Sequence, residues 1–253
     1  MLSGLDPSGG AGIQADIQAI TSLGGHPLPV LTCLTVQDTK NVYGAEAIDP
    51  AIIKQQLECL DNDIPIHAVK TGAMGNAAVV KVLMEFLDRH PELPLIVDPV
   101  IKAAGGGDLA DDELVKAMKG SLFARAEMIT PNGVELLQLG DCDSESQAAD
   151  KLLSAGCKSV LATGGHGTGP RIINTLYSTG QEPMNWQLER IGANEYHGTG
   201  CTLAAAISAG IASGLSSRAA ISQAQNYVSR TLSSALSIGQ GQRVPNRGIP
   251  WER

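Results

Sequence analysis

Aromatic residues, paired cysteines and long apolar runs are all scarce in this sequence. Phe, Trp and Tyr make up 3% of its 253 residues. The five cysteines are odd in number and none stands in a Cys-x-x-Cys pair, which argues against a disulfide framework and a zinc site. No apolar run approaches the roughly 18 residues of a membrane span, and the first residues lack the features of a signal peptide. We therefore expect a cytoplasmic protein.

Basic charge is also scarce. Lys and Arg number 18 against 26 Asp and Glu, so the formal net charge is −8. A protein that binds nucleic acid or an anionic membrane needs a basic surface, so we exclude both partners and expect small-molecule ligands. The length suits one large α/β domain.

Short apolar runs alternate with amphipathic helical stretches along the chain. The runs at 29–36, 68–71, 95–98, 127–130 and 159–163 predict buried parallel strands. The stretches at 50–60, 77–89, 111–119 and 146–155 predict helices. Residues 171–178 and 185–190 alternate as antiparallel edge strands do. This pattern predicts one mostly parallel sheet with helices on both faces and an antiparallel edge. The polar segment 239–253 is expected to be a C-terminal surface tail.

The residues at 198–201 are Gly-Thr-Gly-Cys, directly before an apolar run that predicts a buried helix. Glycines let the backbone approach a ligand closely, and the first N–H groups of a helix lack partners within the helix. This turn therefore suits a phosphate group. A tight loop before a core helix is the alternative, and the turn by itself does not decide between them.

Polar or glycine-rich residues follow five successive predicted strands. They are Gln37-Asp38, Gly72-Ala73-Met74, Asp98-Pro99, Thr130-Pro131-Asn132 and Gly164-Gly165-His166. Ligands of parallel sheets bind beyond the carboxyl ends of the strands, so these residues are candidates for one shared cleft. Ordinary loop composition is the alternative for any one of them.

The glycine-rich segment 6–16 gives only a weak signal for nucleotide binding. Residues 10–15 fit the G-x-G-x-x-A dinucleotide pattern, with Asp38 downstream, but few residues precede the glycines where a strand should be. The Walker sequence G-x-x-x-x-G-K-[ST] is absent. If this chain uses ATP, other parts must bind it.

Taken in order, these segments resemble hydroxymethylpyrimidine/phosphomethylpyrimidine kinases of the ribokinase-like superfamily. The resemblance runs from Gly4 to about Leu236 and rests on residues 3–16, 97–100, 129–132 with Glu135, 164–166 and 198–202. It implies a single ribokinase-like domain over residues 1–253, built as a three-layer α/β sandwich. It also implies a kinase that uses ATP and Mg²⁺ to phosphorylate 4-amino-5-hydroxymethyl-2-methylpyrimidine, its monophosphate, or both, in thiamine biosynthesis.

The resemblance also implies roles for individual residues. Asp16 and Gln37 would hydrogen-bond the aminopyrimidine. Asp98 and Glu135 would hold Mg²⁺, which keeps much of its hydration shell. The implied substrate-binding residues are Gly4, Asp16, Gln37, Gly72 and Val100, the nucleotide-binding residues are Asn132, Glu135, Thr163 and Gly165, and the catalytic residues are Gly198, Thr199, Gly200 and Cys201.

Cys201 stands where the wider superfamily usually has an aspartate base. A thiol at a helix N-terminus has a lowered pKa, so we expect a thiolate that takes the hydroxymethyl proton. The alternative is a small buried residue, since metaphosphate-like transfer needs little help from a base.

Four departures from the family pattern bear on efficiency and substrate range more than on fold, and other functions stay open. Thr163 replaces a lysine that would contact the triphosphate, Lys102 is shifted upstream of 103–106, and Gly72-Ala73-Met74 stands where the family has Gly-Met. Only Met1–Ser3 precede Gly4, so we expect either a short start site or a frayed edge of the sheet. Pyridoxal kinase is one alternative, because pyridoxal is also a flat ring with a hydroxymethyl group. A non-catalytic pyrimidine-binding protein is another. The oligomeric state is left open, with a homodimer as one option.

Overall fold

A nine-stranded sheet lies at the centre of the computed structural model, which describes residues 1–102, 109–165, 167, 169–192 and 196–249. The strands are β1 (Leu2–Leu5), β2 (Val30–Gln37), β3 (Val42–Ala47), β4 (Val69–Thr71), β5 (Leu95–Val97), β6 (Met128–Ile129), β7 (Ser159–Ala162), β8 (Arg171–Ser178) and β9 (Met184–Glu189). Their order across the sheet is β3-β2-β1-β4-β5-β6-β7-β8-β9.

The centre of the sheet is parallel and both edges are antiparallel. β2, β1, β4, β5, β6 and β7 run parallel, whereas β8 and β9 pair antiparallel beyond β7. The predicted antiparallel edge is thus confirmed. A second one, formed by β3 against β2, was not predicted. The expectation of a frayed edge strand at the N-terminus is wrong, because β1 lies inside the sheet and pairs with both β2 and β4.

The helices connect the strands and cover both faces of the sheet. They are α1 (Gly12–Ser22), α2 (Pro50–Asp63), α3 (Ala77–Leu87), α4 (Asp112–Ala117), α5 (Phe123–Arg125), α6 (Gly133–Gly140), α7 (Glu145–Ser154), α8 (Thr199–Ala212) and α9 (Ser217–Ser233), with a π-helical turn at Met118–Leu122 between α4 and α5. Side chains cap several of them: Asp49 accepts from the Ala51 N–H at α2, and Asn76 accepts from the Val79 N–H at α3. Such caps satisfy N–H groups that the helix itself leaves unpaired.

Two apolar cores lie on opposite faces of the sheet. On one face α2, α3, α4, α6 and α7 pack against side chains such as Leu95 and Val97 of β5. On the other face α1, α8 and α9 pack against Ile96 of the same strand. Neighbouring residues of a strand point to opposite faces, so the continuous apolar runs predicted from the sequence serve both cores. The three-layer α/β fold is confirmed.

The C-terminal segment differs in part from the expected surface tail. Residues 239–241 are exposed, as expected, but Val244 and Arg247 are 4% and 2% exposed. The expectation is wrong for this buried part, because its side chains contact residues far away in the sequence. Residues 103–106, His166 and 250–253, which entered the sequence analysis, lie outside the described residues. In the ranges that are described, no helix has the length and apolar character that a membrane crossing requires.

Candidate active site

The candidate site lies where the sheet order reverses. From β1 the chain proceeds outward to β2 and β3, then returns to β4 on the other side of β1 and continues to β7. In open α/β sheets such a reversal leaves a crevice beyond the carboxyl ends of the two strands. α1 follows β1 at this end of the sheet, and α8 packs against α1, β4 and β5.

Residues 198–201, here called the anion turn, form the start of α8. Gly198 is the N-cap with φ +80°, and no side chain caps the helix. The Gly198 carbonyl accepts from the Thr202 N–H at 3.0 Å and from the Thr202 hydroxyl at 2.7 Å. The N–H groups of the first turn have no acceptor within a helix, and the helix dipole adds positive potential there. The start of α8 therefore offers unpaired donors of the kind that an anion needs, and anion binding there stays a prediction.

The anion turn is packed against residues 6–12, here called the first glycine loop. A Cβ on Gly198 would lie 1.9 Å from the Gly10 carbonyl oxygen, and one on Gly10 would lie 2.3 Å from the His197 ring. Both positions therefore require glycine. His197 Nε2 also donates to Asp6 Oδ2 at 2.7 Å. Burial alone would raise the pKa of Asp6, but the hydrogen bonds from His197 and Ser8 lower it to about 2.

Asp98 and Glu135 lie close enough together for their charges to interact. Asp98 follows β5 and is 6% exposed, and its Oδ2 has no hydrogen-bond partner. Burial and the charge of Asp98 raise the pKa of Glu135 to about 8. Burial likewise raises the pKa of Asp98. Two carboxylates that repel each other in a buried place, one with an oxygen left unpaired, are suited to a shared cation.

Cys201 lies beside Asp98 in the first turn of α8, and its surroundings contradict the expected lowered pKa. Burial and the charge of Asp98 raise the pKa of the thiol to about 12, although Lys70 acts in the opposite direction. These effects outweigh that of the helix N-terminus, which is of order 1 kcal/mol. Cys201 is therefore a neutral thiol in this structure.

Asp16 is not an open carboxylate. It is 0% exposed in α1, and Lys70 Nζ donates to its two oxygens at 2.8 and 2.9 Å. Burial alone would lower the pKa of Lys70, but the carboxylate of Asp16 raises it, and that of Asp98 acts in the same direction. A buried cation thus lies among three groups of the candidate site.

The other predicted substrate-binding residues lie at the ends of β1, β2, β4 and β5. A Cβ on Gly4 would lie 2.6 Å from Cys33 Sγ, and one on Gly72 would lie 3.1 Å from Lys70 Nζ. Val100 is half-buried two residues after Asp98. Gln37 lines a cavity of about 460 Å³ together with Pro7, Ser8, Asp38–Lys40 and Ile238–Gln240.

A second cavity, of about 580 Å³, lies between the first glycine loop, α1 and residues 244–248. The linings of these two cavities contain neither Asp98 nor Cys201. The structure therefore brings Asp16, Asp98 and Cys201 together and places Gln37 in a neighbouring cavity.

The predicted nucleotide-binding residues come together after β6 and β7. Asn132 caps α6: its side chain accepts from the Glu135 N–H at 2.9 Å, and Glu135 Oε2 accepts from the Asn132 N–H at 3.0 Å. The Thr163 N–H donates to the Pro131 carbonyl at 2.9 Å, which joins the two strand ends. Gly165 is exposed, and its carbonyl accepts from Arg190 Nη1 at 2.8 Å.

Three residues of this region were not found from the sequence. For Lys70 the sequence contains one indication, because it is a single charged residue within the apolar run at 68–71. Arg190 holds the loop after β7 through the carbonyls of Gly165, Gly167 and Gly169, at 2.6 to 2.8 Å. Arg247 contacts the first glycine loop and the anion turn. The sequence gives no indication of either arginine, because the hydrogen-bond partners of their side chains are 21 residues or more away along the chain.

Comparison with known proteins identifies the family of this chain. The family model for phosphomethylpyrimidine kinase matches residues 6–246. The thiamine biosynthesis bifunctional protein of Geobacter sulfurreducens is 36% identical over 256 residues, covering 99% of this chain and 52% of that protein. This chain thus spans about half the length of that relative. The hydroxymethylpyrimidine/phosphomethylpyrimidine kinase of Bacillus subtilis is 34% identical over 250 residues, covering 97% of this chain and 92% of that protein.

A solved structure has the same fold. The pyridoxal kinase of Staphylococcus aureus, in complex with AMP-PCP and pyridoxal, superposes with a TM-score of 0.88 at 25% identity, covering 98% of this chain and 91% of that one. The family match extends from the first glycine loop to the buried C-terminal segment and includes both acidic residues and the anion turn. This chain belongs to the phosphomethylpyrimidine kinase family.

Proposed function

We propose that this chain transfers the γ-phosphoryl group of ATP to 4-amino-5-hydroxymethyl-2-methylpyrimidine, to its monophosphate, or to both, as part of thiamine biosynthesis. The observation that carries this proposal is the uncapped start of α8, with Cys201 beside Asp98. Family membership and the likeness to a kinase bound to an ATP analogue support it.

In the first reaction the hydroxymethyl oxygen attacks the γ-phosphorus. An O–P bond forms, the bond from the γ-phosphorus to the bridging oxygen breaks, ADP leaves and the hydroxyl proton passes to water. The N–H groups of Thr199, Gly200 and Cys201 donate to the oxygens of the transferred group, where charge must be stabilised. The Cys201 thiol, neutral in this structure, contacts the acceptor hydroxyl in this proposal rather than removing its proton.

Asp98 and Glu135 fit a magnesium ion. Mg²⁺ takes one or two carboxylates and completes its shell with water and phosphate oxygens. A pair is therefore sufficient, and the described residues contain no group of three or more His, Cys, Asp or Glu side chains that could hold a metal. The unpaired Asp98 Oδ2 and the raised pKa of Glu135 agree with this assignment. When bound, the ion neutralises phosphate charge.

Asn132, Thr163 and Gly165 would contact the nucleotide, and Glu135 would help to hold the metal ion that accompanies it. Gln37 would pair with the pyrimidine, since an amide both donates and accepts. Asp16 would accept from the exocyclic amine through the second lone pairs of the oxygens that Lys70 already contacts, and Gly4, Gly72 and Val100 would border the ring.

A steady-state comparison of hydroxymethylpyrimidine, its phosphate and pyridoxal with Mg-ATP tests this function. We expect ADP release with a pyrimidine at a kcat/KM at least about tenfold above that with pyridoxal, a difference that polar pairing in the site can supply. Asp98→Asn is the control that assigns the activity to this site. A preference for pyridoxal would support the pyridoxal kinase alternative. Tight pyrimidine binding without ADP release would support a non-catalytic protein.

A further inference from the structure

Residues 239–249, here called the strap, cross the ligand end of the sheet. The Gln242 N–H donates to the Thr39 carbonyl at 2.9 Å, next to the cavity that Gln37 lines. The Arg243 carbonyl accepts from the His197 N–H at 3.0 Å, beside the anion turn. The Asn246 N–H donates to Thr231 in α9 at 3.0 Å. Main-chain bonds thus hold the strap in place independently of the Arg247 side chain.

The Arg247 side chain connects the anion turn with the first glycine loop. It is 2% exposed. Nε donates to Thr202 Oγ1 at 2.7 Å, and Nη1 donates to the Gly9 carbonyl at 3.3 Å. Nη2 donates to the Gly10 carbonyl and, at 3.4 Å, to the Gly198 carbonyl. The rigid fork of a guanidinium can contact several oxygens in fixed directions, which a lysine ammonium cannot.

The Gly198 carbonyl is the important partner. The Thr202 hydroxyl, which accepts from Arg247 Nε, itself donates to this carbonyl at 2.7 Å. Arg247 therefore holds the Gly198 carbonyl both by a direct hydrogen bond and through the Thr202 hydroxyl. In a trans peptide the carbonyl oxygen and the N–H of the next residue point in opposite directions. Holding the Gly198 oxygen on the Arg247 side thus aims the Thr199 N–H away from Arg247.

Gly198 has no side chain to restrict its backbone, and its φ of +80° lies in the region that glycine adopts readily. The hydrogen bond from the Thr202 N–H and the contacts of Arg247 together fix the plane of the peptide between Gly198 and Thr199. The carbonyls of Gly9 and Gly10 accept from the same guanidinium, which fixes the first glycine loop relative to the anion turn. The buried positive charge also lies behind the N–H groups that would face a phosphoryl group.

We propose that Arg247 is a positioning residue for phosphoryl transfer, which holds the Gly198 carbonyl and so directs the N–H groups of the anion turn at the transferred group. This inference rests on the proposed kinase function. It assigns to the strap a role in the rate of transfer rather than in substrate binding.

Kinetics of Arg247→Ala test the inference. We expect kcat to fall about 10²-fold, as when one donor to a transition-state anion is lost, with both KM values changed less than about threefold. Millimolar guanidinium should restore part of kcat. Ser22→Ala is the matched control, since Ser22 Oγ donates to the main-chain oxygen of Arg247 and not to its side chain. It should leave kcat near that of the wild type.

Arg247→Lys extends the test if the alanine variant does not fold. It keeps the charge but loses the fork, so kcat should fall without a rise in KM. An unchanged kcat in either folded variant, a change confined to KM, or equal losses in Ser22→Ala would overturn the inference.

A second readout does not need activity. The Thr202 amide, which donates to Gly198, should exchange hydrogen faster in the Arg247 variant than in the wild type or Ser22→Ala. If the wild type phosphorylates no pyrimidine, the proposed function fails and this measurement alone judges the positioning role. Equal exchange in all three proteins would overturn it.

Discussion

Lys70 donates from one ammonium group to both carboxylate oxygens of Asp16, at 2.8 and 2.9 Å. The two side chains are 1% and 0% exposed. The pair joins β4 to α1 across 54 residues of sequence and lies next to Asp98 and Cys201. The candidate site is therefore built over a buried ion pair, which has consequences for stability and for substrate recognition.

Lys70→Met should destabilise the fold. Removing one member of a buried ion pair leaves the other charge without a partner, at a cost of about 3–5 kcal/mol. Urea unfolding measures the free energy. The double variant Lys70→Met with Asp16→Leu should recover most of the loss, because two apolar side chains leave no buried charge. If the double variant is no more stable than Lys70→Met, the pair does not behave as an ion pair.

Asp16→Asn and Gln37→Ala separate recognition of the pyrimidine from support of Lys70. If both residues pair with the ring, each variant should lower kcat/KM for the pyrimidine, by as much as about 10⁴-fold in favourable cases, and leave ATP binding nearly unchanged. Pyrimidine kinetics and calorimetric titration with AMP-PCP measure the two effects. Wild-type kinetics in Asp16→Asn would show that Asp16 serves Lys70 alone.

Substitutions of Gly198 and Gly200 should have different effects on stability, because only Gly198 lacks room for a side chain. Gly198→Ala places a Cβ at φ +80° and against the Gly10 carbonyl, so it should lower both stability and kcat. The left-handed conformation alone costs about 1–2 kcal/mol. A Cβ added to Gly200 would meet nothing within 4 Å, so Gly200→Val should fold normally and lose turnover by blocking the approach of the phosphoryl group. Thermal unfolding and kcat together measure this contrast. Wild-type kcat in Gly200→Val would place the reaction elsewhere.

Cys201 should react slowly with iodoacetamide. With a pKa of about 12, its thiolate is rare near pH 8, and the rate should rise with pH up to that value. The exposed Cys59 is the internal control and should react faster. Mass spectrometry of peptides measures both rates. Fast alkylation of Cys201 at pH 7, together with a loss of kcat of about 10²-fold or more in Cys201→Ala, would restore the thiolate-base hypothesis.

Asp6 should contribute to acid sensitivity. Its pKa is about 2 in the folded protein against 3.8 for the ordinary carboxyl group. Because the folded pKa is the lower one, its stabilisation is present above pH 3.8 and is lost as the pH falls towards 2. The difference in unfolding free energy between the wild type and Asp6→Asn should therefore shrink between pH 5 and pH 3. Ser8→Ala, which removes one donor to Asp6, should give a smaller effect of the same sign. A difference independent of pH would contradict this assignment.

The sequence predicts those elements that carry their own pattern. The predicted bounds of β8 are the observed ones, Arg171–Ser178, because eight residues of alternation leave little ambiguity. β3 was missed: Val42–Ala47 contains glycine, two alanines and a glutamate and has no buried residue, so it is a strand because β2 pairs with it. β1 was underestimated because four residues are too few for a periodicity.

The site could be predicted where it depends on local backbone. The anion turn follows from the glycine positions and the place of Asp98 from the parallel sheet, whereas Glu135 was named only through the family resemblance. The pKa of Cys201 did not follow, since burial and Asp98 outweigh the helix end that the sequence shows. Lys70 with Asp16, and Arg247 with two loops, depend on pairings between distant segments, which one sequence does not reveal.

The contacts between the first glycine loop and the anion turn also determine at which stage of folding this protein can bind a ligand at the anion turn. Asp6 meets His197 across 191 residues, and Arg247 meets Gly10 across 237. Bringing such distant residues together costs the intervening chain conformational entropy. These contacts therefore tend to form late in folding. Collapsed intermediates with a correct sheet would then still lack the anion turn. A ligand of that turn would bind only the complete fold and stabilise it by mass action.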